Sequence, residues 1–163
     1  MSRVFRKWVD EYQDQAWSLA RYLLKDAKEA EDMTQEAFIK LWNHRDNIDP
    51  ERVKPWLMKV TRNLCLDRLR RIRPETGLDT EAMSDGIAAG PMAGVEQREL
   101  GHRLREAVTG LREPYRSLVV LRDIYQHSYE EVAGATELSL TQVKVYLHRA
   151  RKQLREQLAE VRP

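Results

Sequence analysis

Sulfur chemistry is nearly absent from this chain. Its 163 residues include one cysteine, Cys65, which excludes an internal disulfide and a cysteine-built zinc site. Long apolar runs are missing too. The longest aliphatic run is Leu118 to Leu121, far short of the roughly 20 apolar residues a membrane span needs. Arg3, Arg6 and Lys7 have no apolar segment after them, so no signal peptide is expected. There is no Gly-rich phosphate loop, metal-spaced His pair or nucleophile elbow, so no enzyme is expected: no catalytic residue, no metal and no cofactor. His44, His102, His127 and His148 are scattered and read as surface or capping residues. These absences point to a soluble cytoplasmic protein with no membrane insertion.

What is present is charge, unevenly placed. Charged residues make up 33% of the chain and hydrophobic ones 42%, with a formal net charge of only +2. The total says little about partners, but the distribution says more. Arg52, Lys54, Lys59, Arg62, Arg68, Arg70, Arg71 and Arg73 crowd one segment; Lys144, Arg149, Arg151, Lys152 and Arg155 crowd another. Two separate basic helices suggest two contacts with a polyanion.

Hydrophobic periodicity predicts an all-α fold. Val4–Leu24, Ala30–His44 and Val53–Arg71 each repeat apolar residues at helical spacing. In the second, Ala30, Met33, Ala37 and Leu41 form an inward stripe. Asp32, Gln35, Glu36 and Ile39 form another side, whose mix of acid, amide and aliphatic suits a protein contact surface. In the third, Trp56, Leu57, Val60, Leu64, Leu66 and Leu69 are the apolar positions, while Lys59, Arg62, Asn63, Arg70 and Arg71 are polar. An amide such as Asn63 beside fixed cations can bond a base edge while the cations hold phosphate. From 73 to 97 the periodicity fails, with Pro74, Gly77, Gly86, Gly90, Pro91 and Gly94 and mostly acidic charges. A flexible linker is expected there. It divides the chain into two small helical domains, 1–72 and 98–163.

The second domain closes on a helix-turn-helix pattern. Ser128 and Glu131 make a capping box for a helix over Tyr129–Thr136. A turn follows at Glu137-Leu138, and Ser139 caps a second helix with Val143, Leu147, Ala150 and Leu154 inward. Ala133 is expected to let the helices cross closely. Such a second helix enters the DNA major groove. Its outward residues are Thr141, Gln142, Lys144, Val145, His148 and Arg149, whose chemistry suits base edges, a thymine methyl and phosphates. Glu137 holds the turn position where Gly is usual, at a cost of about 1 kcal/mol for a positive φ.

Three stretches, AEDMTQEAFIKLW (30–42), WLMKVTRNLCLDRLRR (56–71) and YEEVAGATELSLTQVKVYLHRARKQL (129–154), together resemble the extracytoplasmic-function (ECF) group of bacterial RNA polymerase sigma factors. The resemblance covers nearly the whole chain except the linker. It implies sigma region 2 over 1–72 and region 4 over 98–163. It implies core RNA polymerase as partner, through the β′ coiled coil and the β flap, promoter DNA as target, and an anti-sigma factor as regulator. Asp32, Gln35, Glu36 and Ile39 would dock on β′. The loop 45–53, with Trp56, Lys59, Arg62, Asn63, Arg70 and Arg71, would take the −10 element; Thr141, Gln142, Lys144, Val145, His148 and Arg149 would take the −35 element. The alternative is a conventional helix-turn-helix regulator with an N-terminal sensor or dimerisation domain. It leaves the basic third helix and the Asp32–Ile39 face without a role.

Overall fold

The computed structural model describes residues 2–72 and 95–160, with side chains described over 101–159 of the second span. The linker expected over 73–97 lies outside them, apart from its last three positions, which begin a helix. Among the described residues the fold is all-α. The elements are α1 (Arg3–Leu24), α2 (Ala27–His44), α3 (Val53–Ile72), α4 (Val95–Thr109), α5 (Tyr115–Val119), α6 (Tyr129–Thr136) and α7 (Leu140–Glu160). No helix among them is long and apolar enough to cross a membrane.

Local chemistry explains where the helices begin and end. Ser2 Oγ accepts the Phe5 N–H at 3.3 Å and starts α1. Lys25, at φ 62°, closes it by donating its N–H to Arg21 O at 3.0 Å. Asp26 begins α2, one carboxylate oxygen accepting from the backbone of Lys28 and Glu29 at 2.9 and 3.1 Å. Asp49 similarly caps the short turn Pro50–Arg52 that leads into α3.

Helices α1, α2 and α3 pack on one another, and α4, α5 and α6 pack around α7. In α2 the buried stripe is Ala30, Thr34, Ala37 and Leu41, with Met33 only partly buried. In α3 it is Val53, Leu57, Met58, Thr61 and Cys65. The periodic reading missed Thr61, whose hydroxyl is satisfied inside the helix by Leu57 O at 2.8 Å. That lets a polar residue occupy a core position. Trp56, Val60, Leu64 and Leu69 flank the stripe, half-buried. Each fully buried leucine, such as Leu41 or Leu57, contributes about 1.5–3 kcal/mol by leaving water.

The aliphatic run from Leu118 to Leu121 is buried throughout. Helix α5 widens into a π-turn over Val120–Ile124, where Tyr125 N–H reaches Val120 O at 3.1 Å. In the helix-turn-helix, Val132 and Ala135 are buried while Ala133 is only partly so, so Ala135 is the small residue in the core. On α7 the inward stripe is Val143, Leu147, Ala150 and Leu154. The halves are also in contact: α3 packs along α6, and α1 touches α4 and α5.

Candidate nucleic-acid interface

Asp32, Gln35, Glu36 and Ile39 lie along one side of α2, all exposed, and Ile39 keeps 60% of its surface in solvent. Beside them, between α1 and α2, runs a groove of about 950 Å³ whose apolar walls include Phe5, Val9, Trp17, Phe38, Ile39 and Trp42. Phe5 meets Trp42 edge-to-face at 4.9 Å. Arg45 stacks its guanidinium 3.6 Å from the centroid of the Trp42 ring while donating to Trp42 O at 2.7 Å. Phe5 is itself buried in the core, while Val9 and Trp17 are half-buried against it.

The residues expected on the −10 strand occupy α3 in two groups. Trp56, Lys59, Arg62 and Asn63 lie on successive turns; Arg70 and Arg71 stand at the exposed end. Trp56 is half-buried against the His44 ring, 5.6 Å away, and Asn63 is exposed. Lys59 and Arg62 are not bare. Lys59 Nζ is 2.9 Å from Glu137 Oε1. Arg62 Nε donates to Ser117 Oγ at 2.9 Å, and its Nη2 lies 3.4 Å from Glu113 Oε1. Arg70 pairs with Asp67 on its own helix. Lys54, in the first turn of α3, reaches Glu131 at 2.9 Å.

On α7, Thr141, Gln142, Lys144, Val145, His148 and Arg149 are all exposed. Gln142 also helps to start its own helix. Its Oε1 accepts the Ser139 N–H at 2.9 Å, and Ser139 Oγ accepts the Gln142 N–H at 3.1 Å. This is a capping box like that of α6, where Ser128 and Glu131 exchange bonds of 3.1 and 2.8 Å. Between the two helices Glu137 adopts φ 61° and ψ 29°, so the turn has left-handed geometry without Gly. Arg151 holds Asp123 through two bonds of 2.6 and 3.1 Å, which ties α7 to the segment before α6. Arg122 bridges the same region, stacking on Tyr129 at 4.4 Å and donating to His127 O at 2.8 Å.

His127 is not the surface residue expected from sequence. It is 1% exposed, and its Nε2 lies within hydrogen-bond distance, 2.8 Å, of Gln15 Oε1. Burial, reinforced by nearby Lys54, pushes its pKa down to about 4. Burial opposes ionisation of Glu131, but the Ser128 N–H and the Lys54 ammonium outweigh it and hold the carboxyl below its usual range. Cys65 is fully buried, and burial pushes its thiol up to about 12, so it behaves as a small hydrophobe.

Comparison with known proteins separates the two readings of the sequence. Residues 8–75 match the Sigma-70 region 2 family model, and residues 101–154 match the Sigma-70 region 4 model. The ECF RNA polymerase sigma factor SigW of Bacillus subtilis is 31% identical, the match covering 96% of this chain and 90% of SigW. The chain belongs to the ECF sigma factors. Another such relative, SigE of Mycolicibacterium smegmatis, is 34% identical over 93% of this chain, which spans only 60% of that longer protein. The fold of this ECF sigma factor is similar to that of RpoE from Bartonella quintana, solved in complex with the anti-sigma factor NepR. The TM-score is 0.80 at 21% identity, over 99% of this chain and 100% of that one. A conventional helix-turn-helix regulator is thereby set aside, since a sigma region precedes the helix-turn-helix on the same chain.

Proposed function

We propose that this ECF sigma factor is a dissociable specificity subunit whose outward faces divide the work of initiation. The α2 face (Asp32, Gln35, Glu36, Ile39) and the groove beside it dock on the β′ coiled coil of core RNA polymerase. The turns before α3, with Trp56, Lys59, Arg62, Asn63, Arg70 and Arg71, capture the −10 strand: a pocket for an unstacked base, flanked by cations for its phosphates. Thr141, Lys144, Val145, His148 and Arg149 on α7 read the −35 element, with Gln142 contributing from the first turn. Residues 1–72 and 98–163 act as two units joined by 73–97, and the second also meets the β flap. The chain performs no catalysis of its own, acts in the cytoplasm where transcription occurs, and is held inactive by an anti-sigma factor.

The observation that carries this reading is an aliphatic residue, Ile39, left exposed among Asp32, Gln35 and Glu36 at the edge of an apolar groove. A face of this kind suits a protein partner. The test is transcription with purified core polymerase and a promoter library. Starts should share paired motifs near −10 and −35. Gln35→Ala should reduce them through polymerase affinity and Asn63→Ala through DNA opening. Duplex binding by the chain with no polymerase binding and no new starts would reject the assignment.

A further inference from the structure

The two helices of the helix-turn-helix begin with the same hydrogen-bond pattern, built from different side chains. On α6 the residue that reaches back is Glu131. Its Oε1 accepts the Ser128 N–H at 2.8 Å, and its Oε2 lies 2.9 Å from Lys54 Nζ. On α7 the residue is Gln142, whose Oε1 accepts the Ser139 N–H at 2.9 Å. A backbone N–H can only donate, so the oxygen of the Gln142 amide, and not its nitrogen, is the atom that meets Ser139. The cap thereby fixes which way round the amide sits. The other end, Nε2, has no partner among the described residues, and the residue is exposed. Helix energetics alone do not explain the choice of Gln. A carboxylate suits the positive end of a helix dipole better than a neutral amide, and α6 uses one. On α7 the neighbours on the outward side are Thr141, Lys144, Val145, His148 and Arg149, with no acid among them. A carboxylate there would repel a polyanion, whereas the amide keeps the cap and adds N–H donors.

We propose that Gln142 is a specificity-determining residue with a divided amide: the oxygen stays on the cap, only the Nε2 donors reach the DNA, and the residue selects guanine over adenine. This rests on the assignment of α7 to the −35 element given above. Pairing with adenine needs both ends of the amide on one base edge, the oxygen accepting from N6 and the nitrogen donating to N7. That would pull Oε1 off Ser139 and leave a backbone donor of the first turn of α7 without its partner. Guanine offers the major groove two acceptors, O6 and N7. A donor-only end meets them with the cap intact. Cytosine offers a donor, N4, and so presents a donor to a donor.

The test is selection by the full chain, assembled with core RNA polymerase, on a promoter library randomised in the −35 element. The parent chain should hold guanine at one position that Gln142→Ala relaxes, by about threefold to tenfold in the ratio of guanine to adenine. Other positions should not change. Gln142→Glu separates reading from capping. Its carboxylate keeps the bond to the Ser139 N–H, so the melting temperature should equal or exceed that of the parent. Its outward atom becomes an acceptor, so the preference at that position should move from guanine to cytosine. A relaxed position that prefers adenine, or any base but guanine, would overturn the divided amide. If both Gln142 variants leave every position unchanged while Lys144→Ala and Arg149→Ala shift theirs, Gln142 only starts its helix and the proposal fails. If none of the four variants alters the selection, the assignment of α7 is rejected, and the proposal with it.

Discussion

Helices α2 and α3 pack on the same α1 and each turns polar side chains outward, but their outer faces are engaged to different degrees. The face of α2 is open: Asp32, Gln35, Glu36 and Ile39 meet solvent, and the groove beside them is unfilled by the other described residues. On α3, Lys54, Lys59 and Arg62 are paired with Glu131, Glu137 and Glu113, while Asn63, Arg70 and Arg71 stay exposed. The first surface is open to solvent, while three cations of the second already have anionic partners. A count of positive charge therefore measures the capacity to bind a polyanion, whereas availability depends on what else in the chain can reach those charges.

The most damaging way to break the contrast is from inside. Leu57 is fully buried in α3, and Leu57→Ala should cost about 2–5 kcal/mol, read as a lower denaturant midpoint. Both faces should suffer, because they share that core. Ile39→Glu should be selective. Stability should stay within about 0.5 kcal/mol of the parent, while affinity for core polymerase falls by about tenfold or more; unchanged polymerase affinity would mean that the open face is not a docking site.

Acid should act on the paired side. His127 is held neutral, its pKa near 4 instead of 6.5, so the unfolded chain binds the extra proton first. Stability from this site is fully present above pH 6.5 and is lost as pH falls toward 4. Glu131, held below its usual range, moves stability in the same direction at lower pH. Thermal unfolding at pH 7 and pH 5 should show the loss, and His127→Gln should flatten it.

Removing one capping hydroxyl tests whether the α6 cap supports the paired face. Ser128→Ala should cost about 1 kcal/mol and loosen Glu131, the partner of Lys54; Ser139→Ala should cost a similar amount in melting experiments without affecting α3. The smallest effect is expected at Arg70, which is exposed and pairs with Asp67 on its own helix. Arg70→Ala should change stability by less than about 1 kcal/mol while lowering the salt slope of strand binding by about 0.7.

Local grammar made much of the architecture legible. The Ser128–Glu131 box, the helix spacing of Val143, Leu147, Ala150 and Leu154, and the exposure of Ile39 follow from residues within a few turns of one another. Thr61 escaped notice because its polarity is cancelled by Leu57 O, a bond that a hydropathy pattern does not register. His127 and Arg116 escaped for a different reason. Their partners, Gln15 and Leu23, lie 112 and 93 positions away, and nothing local marks such a pairing. The candidate surfaces were legible as sets of residues, through spacing and family resemblance. The engagement of Lys59 and Arg62 was not, since it depends on how one half meets the other.

Glu137 shows what this implies for anyone redesigning the molecule. It holds a left-handed backbone at φ 61°, a conformation that Gly adopts freely and other residues at a cost of about 1 kcal/mol. A search for stabilising substitutions would pick Glu137→Gly early and record a firmer turn. The same exchange deletes the carboxylate on Lys59. The resulting variant would have a firmer turn and one tie fewer between the two halves, so a score that rewards only local robustness would select against a contact it never sees.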